Sequence, residues 1–311
     1  MIQSPTRLLL TSLVFPLLFG CPADPDTPLI QEDSGPDAAF EDITPPQDDA
    51  AQTEDVVPGD DVVHTGCPEA ENLTVTDASQ LPNIAACDTI PGDLIIEVPL
   101  GVATLSFPAL QEVGGELIIR LQDTMTTLDL PILEKVGALV ISENEVLETI
   151  EIPGIQEIVE RLGILSNAAL QSVRFESLWT IGESLDAQSL IPAMNIWNNP
   201  DLVNLNMPAL KEVHGGIGLN VHDNESLEAL SFPVLEVIST ELVIANMANL
   251  ETISFPALTF LGRLFIVMMN PKLPTCSLHA LLSDIVNQPP ERICIMGNAD
   301  DACEDDLSGC N

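Results

Sequence analysis

The sequence has no tyrosine, and aromatic residues make up only 4% of its 311 residues. Its hydrophobic content of 46% therefore consists mainly of Leu, Ile, Val and Ala, which are small or branched side chains that stack well in repeated layers. Basic residues are also scarce, since 9 Lys and Arg stand against 48 Asp and Glu, for a net charge of -39. A surface of this charge repels phosphates, which argues against nucleic acid and anionic lipid headgroups as partners.

The sequence also lacks the short motifs that mark common catalytic and metal sites. It contains no nucleophile elbow, no Gly-rich phosphate loop, no His-Glu-x-x-His and no cysteine pair in Cys-x-x-Cys spacing. His214 and His222 are eight residues apart but belong to different parts of one repeat, so we expect no metal site there. We therefore expect a protein without cofactor or metal that is not an enzyme.

The first 20 residues are typical of an export signal. Arg7 provides a positive charge, and residues 8–19 form an apolar stretch too short to span a bilayer as a helix. The sequence Leu18-Phe19-Gly20-Cys21 resembles the lipobox of bacterial lipoproteins. The resemblance implies a mature chain that begins at an acylated Cys21 and is held stably by more than one acyl chain. The alternative is an ordinary signal peptide with a chance cysteine.

Residues 21–66 are predicted to form a disordered, acidic, proline-rich tether. Residues 22–66 contain 13 Asp and Glu and no Lys or Arg. Such a segment buries too little apolar surface to offset the entropy lost on ordering. We expect it to hold the folded domain away from the membrane.

Six cysteines remain once Cys21 is set aside. An even number in an exported chain indicates three disulfides, whose pairing the spacing leaves open. The six are Cys67, Cys87, Cys276, Cys294, Cys303 and Cys310.

From residue 94 onward the chain repeats a strand, an Asn and a Leu-x-Phe-Pro-x-Leu segment with a period of about 23 residues. The first inward residues of the strands are spaced by 23, 22, 23, 32, 25, 23 and 23 residues. This period predicts an all-β-dominated fold, a single parallel β-helix or leucine-rich-repeat-like solenoid of about eight rungs with disulfide-bonded caps. The first inward residues are Leu94, Leu117, Leu139, Leu162, Met194, Leu219, Leu242 and Phe265.

Three features interrupt or shape the repeat. An Asn follows most strands and is predicted to form a structural ladder that satisfies backbone groups at the bend, broken where Gln122 and Met247 replace it. The Gly pairs at 114–115 and 215–216 are expected to allow tight corners. The gap of 32 marks an insertion over 183–193, either a binding loop or a tolerated surface loop. The ladder residues are Asn144, Asn167, Asn199, Asn224 and Asn270.

Both ends of the repeat region resemble the caps of the receptor L domain, the leucine-rich β-helical module of insulin and epidermal growth factor receptors. The opening resemblance runs from Cys67 to Ile96, and the closing one from Asn270 to Cys303. It covers residues 67 to about 303 and implies an L-domain-like solenoid over 67–311. By resemblance, Cys67 pairs with Cys87 and Cys276 with Cys303, which leaves Cys294 with Cys310. The chain lacks the Cys-rich module, transmembrane helix and kinase of these receptors, so signalling is not implied.

The phase of the strands predicts one unusual face. Alternate side chains of a strand point to opposite sides, so the residues after each inward position form two outward columns. These columns contain apolar side chains and no carboxylates, which is unusual on so acidic a chain and typical of an interaction surface. Trp197 and Met268 are the predicted anchors. The candidate binding residues are Ile118, Arg120, Val140, Leu165, Asn195, Trp197, Asn220, His222, Val243, Ile266 and Met268; Ser142, Gly163 and Ala245 complete the columns.

These features predict a lipid-anchored binding module of the bacterial cell envelope, at the outer membrane or cell surface, that recognises or adheres to a protein or glycan. Its membrane contact would be the lipid alone. Two alternatives remain open, a passive structural envelope lipoprotein and a polysaccharide-active β-helix enzyme. The enzyme would need clustered carboxylates on a sheet face, and the two columns contain none. A covering loop, such as the 183–193 insertion, would be a structural explanation for the apolar face.

Overall fold

The computed structural model describes residues 67–68, 71–285 and 290–310. The predicted signal peptide, Cys21 and the tether over 21–66 lie outside the described residues. The chain divides into two units after Val62, and the described residues belong to the second.

Almost all regular structure is β-strand. The helices are a 3-10 turn over Ala78–Gln80, α1 over Leu81–Ile84 and α2 over Thr275–Asp284. In chain order the strands are β1 Leu73–Val75, β2 Thr89–Ile90, β3 Leu94–Ile96, β4 Thr104–Ser106, β5 Glu112–Arg120, β6 Thr127–Asp129, β7 Lys135–Ser142, β8 Thr149–Glu151, β9 Glu157–Leu165, β10 Ser172–Arg174, β11 Thr180–Ile181, β12 Met194–Trp197, β13 Asn204–Asn206, β14 Glu212–Val213, β15 Leu219–His222, β16 Ala229–Ser231, β17 Val237–Ile238, β18 Glu241–Ala245, β19 Thr252–Ser254, β20 Phe260–Leu261, β21 Leu264–Met268 and β22 Arg292–Met296.

Two parallel sheets wind around one core and form a β-solenoid of about nine turns. The long sheet contains ten stacked strands in the order β1-β3-β5-β7-β9-β12-β15-β18-β21-β22, with β2, β11, β14, β17 and β20 paired beside them at the preceding corner. The second sheet stacks β4, β6, β8, β10 and β13, and the pair β16-β19 occupies the same place in later turns. The solenoid class is confirmed, and the long sheet has one strand more at each end than the eight counted from sequence.

The register matches the predicted period throughout. Leu94 pairs with Leu117, and the chain of partners continues to Phe265 and on to Ile293 in β22. The inward residues of the second sheet, from Leu105 to Leu205, are likewise buried. Each turn buries its apolar residues against the turns above and below, which is why a single turn would not fold alone.

The Asn ladder is continuous over more turns than its sequence suggests. Asn199 donates through Nδ2 to the carbonyls of Ile164 and Trp197, and its Oδ1 accepts from the backbone nitrogen of Asn167. The prediction that Gln122 breaks the ladder is wrong, because its Nε2 donates to the carbonyl oxygens of Val98 and Arg120 at 2.8 Å. The side chain of Gln122, which is one carbon longer than that of Asn, reaches both of these carbonyl oxygens.

Two later positions of the ladder also differ from the prediction. Met247 has no side-chain amide, but its sulfur lies 3.4 Å from the backbone nitrogen of Asn224, so the ladder is weakened there and not broken. Asn298 extends the ladder beyond Asn270, accepting from its backbone nitrogen at 3.2 Å. The amides of Asn270 and Asn298 therefore tie the last regular turn to the cap.

The glycine pairs serve different purposes. Gly215 and Gly216 have φ of 66° and 51°, so they form a left-handed corner as expected. Gly114 and Gly115 instead lie inside β5 at a shift in its register. A Cβ on Gly114 would lie 2.2 Å from the carbonyl oxygen of Pro91, so this pair permits close backbone approach.

Disulfides close both ends of the solenoid. The bonded pairs are Cys67–Cys87, Cys276–Cys303 and Cys294–Cys310, which agree with the pairs implied by the L-domain resemblance. At the C-terminal end the carboxylate of Asp301 accepts from the backbone nitrogens of Cys276 and Cys303, both at 2.9 Å. Asp301 thereby caps the N-terminus of α2, and these bonds lower its pKa.

The 183–193 insertion lies against a corner of the solenoid. The backbone nitrogen of Gly216 donates to the carbonyl of Asp186, and that of Ile217 donates to the carbonyl of Ile191. Leu190, at 86% exposure, projects into solvent. Within the described ranges, no helix is both long and apolar enough to cross a membrane.

Candidate ligand-binding face

The two predicted outward columns lie side by side on the long sheet. Strand pairing aligns the first from Ile118 to Ile266 and the second from Arg120 to Met268, one residue of each per turn. We call these fourteen residues the long-sheet face. Trp197 is exposed, eleven of the others are half-buried, and Ser142 and Gly163 are buried. The face is therefore partly open to solvent in the part of the chain that the structure describes.

The insertion forms no backbone hydrogen bond with the two columns. Its backbone bonds reach Gly216 and Ile217 at the corner before β15, and Val159 and Leu162 of β9. The covering-loop alternative is not supported for this segment.

The centre of the face is a linked group of three side chains, Trp197, His222 and Asp223, which we call the Trp197 cluster. The rings of Trp197 and His222 are stacked with centroids 5.8 Å apart. Trp197 Nε1 donates to Asp223 Oδ2 over 3.1 Å, and His222 Nδ1 lies 2.7 Å from the same oxygen. The residue Trp197 is 38% exposed to solvent. A large aromatic side chain is therefore held at the surface in a defined position.

Asp223 was not among the residues selected from sequence. It occupies the position after the strand, where φ is 55°, and this left-handed conformation recurs in successive turns, for example at Asn198 and Asn246. The conformation turns the chain away from the sheet and leaves the side chain at the edge of the long-sheet face. The sequence feature that could have identified Asp223 is its position directly before the ladder residue Asn224.

Two asparagines lie beside the Trp197 cluster. Asn195 and Asn220 are partners on β12 and β15, in the first outward column. Their Oδ1 atoms are buried and have no hydrogen-bond partner among the described residues. An unpaired buried acceptor of this kind costs about 1–3 kcal/mol. The centre of the face therefore contains hydrogen-bonding capacity that the fold leaves unused.

The charged residues near the face are paired along its margins. Arg120 contacts Glu97 at 2.9 Å, and Arg161 reaches across the buried Ala138 to Glu116 at 2.6 Å. Glu241 lies next to the first column, and burial raises its pKa. These pairs keep uncompensated charge away from the apolar columns.

The histidines do not converge on a shared site. His214 Nε2 lies 3.0 Å from Glu212 Oε2 at the corner strand β14, whereas His222 contacts Asp223 on the long-sheet face. Ligand atoms of Glu183, Glu212 and His214 lie within 4.8 Å of one another at the base of the insertion. These three residues are separate from the Trp197 cluster, and none of them belongs to the long-sheet face.

Comparison of the chain with protein-family models, with curated proteins and with solved structures finds no match.

Proposed function

We propose that the protein is a non-catalytic recognition module that binds its ligand through the long-sheet face. The observation that carries this proposal is a partly exposed, carboxylate-free pair of columns, with Trp197 exposed at its centre, on a chain with a net charge of -39. Exposed contiguous apolar surface is disfavoured in water and typically marks an interaction site. The rigid solenoid beneath it keeps the binding side chains in place without ligand.

The Trp197 cluster is the proposed anchor. Trp and Tyr dominate binding energies at many interfaces because they bury a large area at a low entropic cost. Trp197 is already positioned by its hydrogen bond to Asp223 and by stacking on His222. Little side-chain entropy would be lost when a ligand covers it.

We further propose that the module is of the receptor L domain type and is presented on a bacterial envelope by a lipid on Cys21. The cysteine-bearing caps support the first part, and the lipobox-like residues 18–21 support the second. Replacement Cys21→Ser should remove metabolically incorporated fatty acid and release the protein from the membrane fraction. Retained label in this variant would contradict lipidation at Cys21.

A matched pair of tryptophan variants tests the binding face. Trp179 is 40% exposed, close to the 38% of Trp197, but it lies outside the long-sheet face. Saturable binding of the full-length protein to a native envelope preparation would be measured with the unchanged protein, Trp197→Ala and Trp179→Ala. We expect Trp197→Ala to weaken binding at least tenfold and Trp179→Ala to change it less than twofold. Equal effects of the two variants, with folding intact by circular dichroism, would contradict the proposal.

A further inference from the structure

Building on the proposed function, we infer that the Trp197 cluster binds an uncharged glycan, with Trp197 contacting the apolar surface of a sugar ring and the surrounding polar groups contacting its hydroxyls. The inference depends on the composition of the centre of the face. Away from the centre, the columns are mainly aliphatic. Within two successive turns they change to indole, imidazole and two amides, and a carboxylate stands at their edge.

The indole provides the apolar contact. A pyranose ring exposes C–H groups that pack against an aromatic side chain, and its hydroxyls lie around them. Trp197 offers exposed aromatic surface, and the N–H of its indole ring already donates to Asp223. The indole thus has no polar group left to satisfy when a sugar covers it, which removes one desolvation cost of binding.

The amides and the carboxylate match the hydroxyls. A hydroxyl both donates and accepts, as a side-chain amide does, so either amide orientation of Asn195 or Asn220 can be served. As placed, the Nδ2 groups of Asn195 and Asn220 lie on the solvent side and can donate to ligand hydroxyls, whereas rotating either amide would only exchange the buried unpaired oxygen for a buried unpaired NH2. The indole of Trp197 and the imidazole of His222 both contact Oδ2 of Asp223. Among the described residues Oδ1 has no such partner, so it can accept a hydrogen bond from a ligand hydroxyl.

Charge and spacing narrow the class of glycan. The net charge of -39 repels uronates and sulfated sugars, which favours an uncharged chain. Asn195 and Asn220 repeat at the spacing of adjacent strands, about 4.8 Å, which is similar to the advance of one sugar in an extended chain. A peptide would more readily pair with a sheet edge, but these groups lie on the sheet's flat side.

Because the chain has few aromatic residues, tryptophan fluorescence can report directly on ligand binding at Trp197. The chain has two tryptophans and no tyrosine, so the variant Trp179→Phe keeps Trp197 as its dominant fluorophore. Full-length Trp179→Phe would be titrated with neutral hexasaccharides of β-1,4-linked glucose, N-acetylglucosamine and mannose, and of α-1,4-linked glucose. Oligogalacturonate of equal length is the charged control. Binding would be confirmed on the unchanged protein by calorimetry.

We expect at least one neutral hexasaccharide to change Trp197 emission saturably and oligogalacturonate to leave it unchanged. Calorimetry should show binding lost in Trp197→Ala, retained in Trp179→Ala and weakened at least tenfold in the double variant Asn195→Ala/Asn220→Ala. Variants would be compared only where circular dichroism and melting temperature match the unchanged protein. Asn220→Ser, which replaces the amide with a hydroxyl that still donates and accepts, should lose less affinity than Asn220→Ala.

Two results would overturn the inference. One is the absence of a saturable response to all four neutral sugars, and the other is a response that persists in Trp197→Ala. In either case, binding to the envelope preparation that still depends on Trp197 would leave the proposed face intact and point to a protein ligand. Envelope binding that is independent of Trp197 would instead remove the proposed function itself.

Discussion

The two sheets of the solenoid share the same kind of inward residues but differ on their outward sides. The second sheet presents Thr, Ser, Asn and charged side chains, in two columns that we call the second-sheet face. Its residues are Thr104, Ser106, Thr127, Asp129, Thr149, Glu151, Ser172, Arg174, Asn204 and Asn206. On the long-sheet face half of the fourteen positions hold Ile, Val, Leu, Trp or Met, and the other half hold Asn, His, Arg, Ser, Gly or Ala, without a carboxylate.

This difference separates the needs of the fold from those of function. Thr satisfies strand propensity and also hydrates well, and Ser106 even donates to Asp129 across adjacent strands at 2.7 Å. The second-sheet face shows that a stable solenoid can have a polar exterior. The half-buried aliphatic side chains of the long-sheet face lie outside the core cluster, so core packing alone does not account for them.

The largest expected effect comes from breaking the corner that both sheets share. Replacement Asn199→Ala removes the side chain that bonds the backbone of its own turn and of the preceding turn and the side chain of Asn224 in the next turn, and it leaves several buried groups unpaired. Because each unpaired group costs about 1–3 kcal/mol, we expect the free energy of unfolding to fall by about 3 kcal/mol or more. Urea unfolding measures the change.

The neighbouring exposed residue provides the control for this variant. Asn198 has a φ of 55°, which glycine adopts freely, so Asn198→Gly should change the unfolding free energy by less than about 1 kcal/mol. Similar losses in the two variants would show that the ladder is not what holds the corner.

Moving a carboxylate between the two faces tests their difference directly. Val243→Asp places a charge in the first column of the long-sheet face, whereas Thr127→Asp adds one to the second-sheet face, which already has Asp129 and Glu151. Both positions are solvent-accessible. We expect Val243→Asp to weaken binding to the envelope preparation about tenfold and Thr127→Asp to change it less than twofold. The reverse order would place binding on the second sheet.

Acid should weaken the end cap that completes the long sheet. Backbone hydrogen bonds lower the pKa of Asp301 below its ordinary value of 3.8 in the folded protein. Its stabilising contribution is therefore complete above that value and is lost as the pH falls through the lowered pKa. Melting temperatures between pH 5 and pH 2.5 should fall more steeply for the unchanged protein than for Asp301→Asn. Parallel curves would show that Asp301 does not supply this dependence.

The smallest effect is expected from the one arginine in the two columns. Arg120 and Glu97 form a partly exposed ion pair, and such pairs contribute about 0–1 kcal/mol. We expect Arg120→Gln to change the unfolding free energy by less than about 1 kcal/mol in chemical denaturation. A larger loss would mean that the Arg120 end of the long-sheet face has a structural role.

Much of the fold was predictable because the solenoid repeats a local rule. Leu117, Leu139 and Leu162 recur at one phase, and alternation along each strand then places Val140 and Trp197 outward. Gln122 was misjudged because its reach depends on the position of a carbonyl in another turn. The place of the insertion likewise depends on which corner offers free backbone groups.

The spacing of apolar residues, the cysteines and the strand phase were enough to predict a β-solenoid with bonded caps and one nearly charge-free face. These are properties of periodicity, and stacking transmits periodicity from turn to turn. Only the three-dimensional structure joined Asp223 to Trp197, buried two unpaired amide oxygens beside them, and bonded the insertion to the corner at Gly216 and Ile217. The repeat length aligned Trp197 with His222 and Asn195 with Asn220, but the bond between Trp197 and Asp223 and the burial of the amide oxygens depend on side-chain geometry, which no repeat length specifies.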